Sequence, residues 1–154
     1  MRRHHAIRDA LATWLGEVGV SAETEQEVAE WHRQDSRAVL DVVYHDGVAG
    51  RVRMDVTVTD GAELARRGRP WRHTLERRER RKHLRYPGPS LRPFVVDVGG
   101  RWGREALAWL RQVLRRLPPD ARSLAAQRCR AAVAVALQGE CAEQVCRAFG
   151  AGPT

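Results

Sequence analysis

The sequence predicts an α/β domain: a small mixed sheet flanked by helices, with elements in the order α-β-β-β-α-β-α-α. Three observations predict it. Two β-branched runs flank "DGVAG", which makes residues 37–60 a hairpin. Segments before and after that hairpin carry apolar residues at helical spacing. A short apolar run, "LRPFVVDVGG", lies beyond a helix-length stretch and closes on a Gly-Gly turn, so it adds a further strand.

The elements follow in order. "RRHHAIRDALATWLGEVGV" sets Ile7, Leu11, Trp14, Leu15 and Val18 on one helical face and ends near Gly16 to Gly19. "SAETEQEVAEW" reads as a Glu-rich edge strand. The hairpin comes next, then "GAELARRGRP" as a loop. "WRHTLERRERRKHLR" has helical composition and is stopped by Pro87 and Gly88. After the buried strand, "RWGREALAWLRQVLRRLPPD" is a helix with Leu107, Leu110, Val113, Leu114 and Leu117 inward. A long Ala-rich helix follows, with a break expected near Gly139.

The hairpin register can be worked out. Pairing residues whose numbers sum to 96 sets Leu40 against Val56, Val42 against Met54 and Tyr44 against Val52, all on one side. A slip by one residue would oppose apolar side chains to Asp and Arg. The loop is then Asp46 to Gly50. This register puts Asp41 across from Asp55 on the other face, where opposed Cβ atoms lie about 5 Å apart. Two such carboxylates repel unless a cation sits between them. A divalent metal ion is the economical solution, since hard cations prefer oxygen ligands.

At 154 residues the chain is read as a single domain, 1–154, with a core over about 3–117 and a helical extension over about 120–149. Its net charge is +8, which would attract a polyanion, nucleic acid first. Arginine bias also follows from codon drift, so the charge alone decides little. No apolar run is long enough to span a bilayer, and "MRRHHAIRDA" lacks a signal-peptide core. No membrane partner is expected, and the expected location is intracellular, nuclear in a eukaryote. Cys129, Cys141 and Cys146 show no close-paired zinc spacing and read as small helix residues. Trp14, Trp31, Trp71, Trp102 and Trp109 read as packing residues, as does Tyr86, and His45 as exposed.

The order helix–strand–strand–strand–helix–strand resembles the core of the PD-(D/E)XK nuclease superfamily. "LD" at 40–41 stands where that family has "PD", and "DVT" at 55–57 where it has "(D/E)xK". More closely, the chain is similar to the restriction-like endonuclease domain of site-specific non-LTR retrotransposons. "RHH" at 3–5, "LD" at 40–41, "DVTV" at 55–58 and "KHLRY" at 82–86 follow that domain's order, over roughly residues 3–100. The resemblance implies a Mg²⁺- or Mn²⁺-dependent DNA endonuclease. Asp41, Asp55 and the Val56 carbonyl would hold the metal, and Lys82 would assist catalysis. It also implies fusion or association with a reverse transcriptase. Two departures stand out: Leu40 replaces the motif Pro, and Thr57 replaces the third-strand Lys, whose role in the retrotransposon branch passes to the next helix.

Lys82 is the single lysine in a chain whose Lys+Arg count is 27. A compact ammonium beside a metal can position water where an always-protonated planar guanidinium cannot. The competing reading is a solvated charge run, "RRERRK". Glu17, Glu23, Glu25 and Glu27 are candidates for a third carboxylate, and Glu25, on the first strand, is the choice for a metal ligand. Thr57 shares the Asp55 face, either orienting water or as an ordinary surface-strand Thr. Arg77, Arg78, Arg81 and Arg85 would hold the DNA backbone. The alternative to the enzyme is a catalytically decayed nucleic-acid-binding module on the same fold.

Overall fold

A computed structural model that describes residues 2–60, 68 and 70–148 shows the expected mixed α/β fold, a four-stranded sheet flanked by helices. The elements are α1 (Arg2–Glu17), β1 (Ala22–Glu27), β2 (Val39–Asp46), β3 (Gly50–Thr59), α2 (Trp71–Arg85), β4 (Leu91–Asp97), α3 (Arg104–Leu114) and α4 (Arg122–Ala148). Most of the expected 61–70 loop lies outside the described residues, as do the side chains of Cys141 and Cys146. The four strands make one mixed sheet in the order β1-β2-β3-β4. The first three pair antiparallel, while β3 and β4 run parallel. A parallel pair needs a long crossover, and α2 lies within it. No helix among the described residues is long and apolar enough to cross a membrane.

Alternation along the strands feeds two cores. Val42, Tyr44, Val52 and Met54 turn toward α1, α3 and α4 and join the main apolar cluster. The α1 stripe supplies Ile7, Leu11, Trp14 and Leu15, all buried. Trp109 of α3 donates through Nε1 to Tyr44 Oη at 2.9 Å, and Trp14 donates to the Ala125 carbonyl at 2.9 Å. Both indoles thus bury their rings and satisfy their single donor. Cys129 lies in the same core, its thiol pushed up to about 12 by burial, which leaves it inert. A second, smaller cluster on the opposite face joins Trp31, Ala38, Leu40, Tyr86 and Leu91. It clamps the end of α2 against the sheet, with Trp31 Nε1 bonded to the Pro87 carbonyl at 2.9 Å.

Three expectations are corrected. The hairpin loop is shorter than Asp46 to Gly50, because those two residues pair with each other. Asp46 Oδ1 accepts from the amides of Val48 and Ala49, and Gly50 takes φ 78°, so a tight turn suffices. Leu40 does not share the core of Val42 and Tyr44 but packs in the second cluster. Helix α4 runs unbroken through Gly139 to Ala148, since one glycine costs only about 1 kcal/mol amid strong helix formers.

Candidate functional site

The departure of Leu40 marks where β2 stops being regular. The β2–β3 ladder reaches Val42–Met54 and goes no further, although the same register would continue to Asp41 and Asp55. Instead the Val56 amide donates to Asp41 Oδ2 at 2.7 Å. A carboxylate has taken the place of a strand-to-strand hydrogen bond. On its other flank, β1 pairs Thr24 with Val42 and Gln26 with Leu40, but Glu25, level with Asp41, is missing from the ladder. Glu25 has φ 55°, the one non-glycine with positive φ among the described residues. Backbone strain of this kind costs on the order of 1 kcal/mol or more and gathers at functional sites.

Two helices close on this irregular point. The buried side of α2 reads Leu75, Glu79 and, just past its end, Tyr86. Lys82 falls on that stripe and Arg77, Arg78 and Arg81 do not. Its Nζ lies 2.5 Å from Asp55 Oδ2. Glu79 fixes the helix's rotation: it accepts from the Glu105 amide at 3.0 Å, at the start of α3. A Cβ on Gly103 would stand 2.3 Å from Glu79 Oε1, so only glycine allows that approach. From the first turn of α1, His4 Nε2 lies 3.1 Å from Asp41 Oδ1. Asp41, Asp55, Val56, Lys82, His4 and Arg3 are among the residues lining one cavity of about 580 Å³.

The electrostatics of this cavity are unbalanced. Burial pushes Asp41 up to about 6; the Asp55 charge adds to the rise, while the Val56 hydrogen bond, His4 and Lys82 oppose it. Asp55 is also raised, because burial outweighs Lys82. Apart from the Lys82 ammonium, Asp55 Oδ2 is buried without a hydrogen-bond partner. Two carboxylates held in low dielectric, with Lys82 against Asp55 and His4 against Asp41, offer hard oxygen donors of the kind a divalent cation takes. Among the described residues no group of three or more His, Cys, Asp or Glu side chains could hold a metal ion.

The chain matches no protein-family model. It matches no curated protein in sequence.

The structure brings Asp41, Asp55, Val56 and Lys82 together. It does not bring Glu25 to them: Arg8 Nη1 holds the Glu25 carboxylate at 2.5 Å, outside the cavity lining. Arg77, Arg78 and Arg81 are exposed on the outer side of α2. Arg85 is committed elsewhere, donating to Ser36 Oγ at 2.5 Å and lying over the Tyr86 ring. Thr57 lines the cavity with its hydroxyl buried beside Asp55, whose charged form it favours. His4 belongs to the "RHH" motif at 3–5, to which sequence reasoning gave no role in the site. It stands three positions before Ile7 on the buried stripe of α1, so extending that stripe by one turn would have found it.

Proposed function

We propose that the chain is a metal-dependent DNA endonuclease of the PD-(D/E)XK kind, resembling the domain of site-specific non-LTR retrotransposons. The observation that supports it is the convergence of Asp41, Asp55 and Lys82, from β2, β3 and α2, on one cavity. Asp41, Asp55 and the Val56 carbonyl would hold Mg²⁺ or Mn²⁺, and when bound such an ion polarises phosphate and acidifies water. Lys82, partly exposed at the cavity wall, supplies a compact positive charge for the phosphate oxygens as they gain charge. His4 holds Asp41 Oδ1 while the Val56 amide holds Oδ2, so that carboxylate is fixed at both oxygens. Arg77, Arg78 and Arg81 present a sequence-indifferent grip for the backbone. The reading also carries a reverse transcriptase, fused or associated, as partner.

A second reading, the fold kept as a binding module with its chemistry lost, is favoured by two observations. Thr57 stands where the motif lysine belongs, and among the described residues no group of three or more His, Cys, Asp or Glu side chains forms that could hold a metal ion. Nicking of supercoiled plasmid with Mg²⁺ or Mn²⁺ separates the two. The enzyme predicts nicking that Asp55→Ala and Lys82→Ala both abolish. Tight, salt-dependent binding with no nicking selects the module.

A further inference from the structure

The other end of the hairpin carries a second charged concavity. A cavity of about 650 Å³ opens beside the β2–β3 turn, lined by Asp46, Val48, Arg111, Gln112, Arg115 and Arg116 among others. Asp46 is the one acid in that lining, and its charge is already engaged. Its Oδ1 takes the Val48 and Ala49 amides at 2.8 and 3.2 Å, and Arg116 stands 3.9 Å from Oδ2. Arg111 and Arg115 are exposed, and Arg51 adds a further exposed cation beside the turn.

Local stability explains only part of this. Cations near the end of α3 are favoured by the helix dipole. Against that, Arg111 and the C-cap residue Arg115 are four positions apart, and like charges at that spacing repel. The turn tip is also apolar where a polar one would serve: Val48 is 99% exposed. Crowded guanidinium groups beside a bare apolar tip suit a polyanion that has an apolar component as well as charge.

We propose that this cradle binds the phosphate backbone of a nucleic-acid duplex at a point separate from the Asp41–Asp55 cavity. The inference rests on the nucleic-acid partner proposed above and not on the hydrolytic chemistry.

The test is fluorescence anisotropy of a labelled duplex of about two helical turns, in EDTA, across a KCl series. Three proteins are compared: wild type, Arg111→Gln/Arg115→Gln on α3, and Arg77→Gln/Arg78→Gln on α2. The α3 variant should lose on the order of tenfold in affinity at low salt, and its log K against log salt slope should flatten by about two. Arg111→Lys/Arg115→Lys should restore most of the slope, which a merely structural role would not require. An α3 variant with wild-type slope and affinity, beside a weakened α2 variant, overturns the cradle and leaves the nucleic-acid reading standing. A wild type that binds no duplex overturns both. Capture by phosphatidylserine vesicles that depends on Arg111 and Arg115, with duplex affinity unmoved, also overturns it.

Discussion

Asp41 and Asp46 lie five residues apart on β2, both buried, and they titrate in opposite directions. At the turn, Asp46 sits among donors: two backbone amides meet one of its oxygens, and Arg116 approaches the other. Those hydrogen bonds hold its carboxyl below the usual range despite burial. At the cavity, Asp41 has a single amide, a histidine and a neighbouring carboxylate, and burial drives it up to about 6. One strand thus carries a residue solved for stability and another left unsolved. Buried groups whose charge is not fully compensated mark sites that expect a partner.

The largest expected effect breaks or confirms that contrast directly. Asp55→Asn removes a carboxylate from the unsolved end and should lower Mg²⁺- or Mn²⁺-dependent nicking by on the order of a thousandfold or more. Asp46→Asn, at the solved end, should leave nicking within a few-fold in folded protein. The measurement is initial rate on supercoiled plasmid, with circular dichroism to check folding. Equal loss from both substitutions would remove the distinction between the two ends.

The next effect is on stability and has a definite sign. Burial holds Asp41 at about 6 in the fold, above its ordinary value of 3.8. Between those values the folded chain holds more protons than the unfolded one. Stability therefore falls as pH rises through this window, and the cost is fully present above it. A gap of roughly two units is on the order of 3 kcal/mol. Asp41→Asn keeps an acceptor for the Val56 amide and removes the charge. It should therefore be more stable than wild type by about 2–3 kcal/mol near pH 8, with the advantage gone near pH 4. Urea melts at the two pH values decide it, and a variant weaker than wild type near pH 8 would falsify the account of Asp41.

Lys82 sharpens the same contrast from the other side of the cavity. Lys82→Arg keeps a cation on α2 but replaces a point charge by a planar fork that must fit beside two buried carboxylates. Nicking should drop by roughly 10- to 100-fold, while melting temperature moves little because the Asp55 charge stays paired. Lys82→Met should cost at least as much activity and also stability, since Asp55 then keeps no cation. An arginine variant at full wild-type rate would return Lys82 to the solvated charge run.

How much of this was legible differs along the chain. The hairpin register held wherever the ladder is regular, because alternation of Val42, Tyr44, Val52 and Met54 admits one solution. The inward stripe of α1 was legible for the same reason. Asp41 and Asp55 were legible as a pair, but not the way they meet. Period-two reasoning assumes that the ladder continues, and here a side chain replaces a ladder bond at Asp41. Glu25 was chosen only for its place on the first strand, and the structure turns it to Arg8 instead. A left-handed backbone at a glutamate leaves no trace in composition. Lys82 stood out as a lone residue type, yet its inward direction came from its place on the buried stripe of α2. The short turn went unread because Asp46 was counted as loop rather than as the residue that closes it.

The smallest effect lies at the turn, and its sign is opposite to that at Asp41. The Val48 and Ala49 amides hold the folded Asp46 carboxyl below its ordinary value of 3.8. The unfolded chain therefore holds more protons in that window. The contribution of Asp46 is present above about 3.8 and is lost as pH falls through the lowered folded value. Asp46→Ala deletes the acceptor that organises the Val48 and Ala49 amides and should cost about 1 kcal/mol near neutral pH. In melts at decreasing pH that deficit should shrink toward acid, while the advantage of Asp41→Asn shrinks over its own, higher window. Curves for the two variants that run parallel with pH would show that both aspartates feel only the net charge of the protein. Curves of opposite slope tie each shift to its own neighbours, with Asp46 held by amides and Asp41 left for a cation.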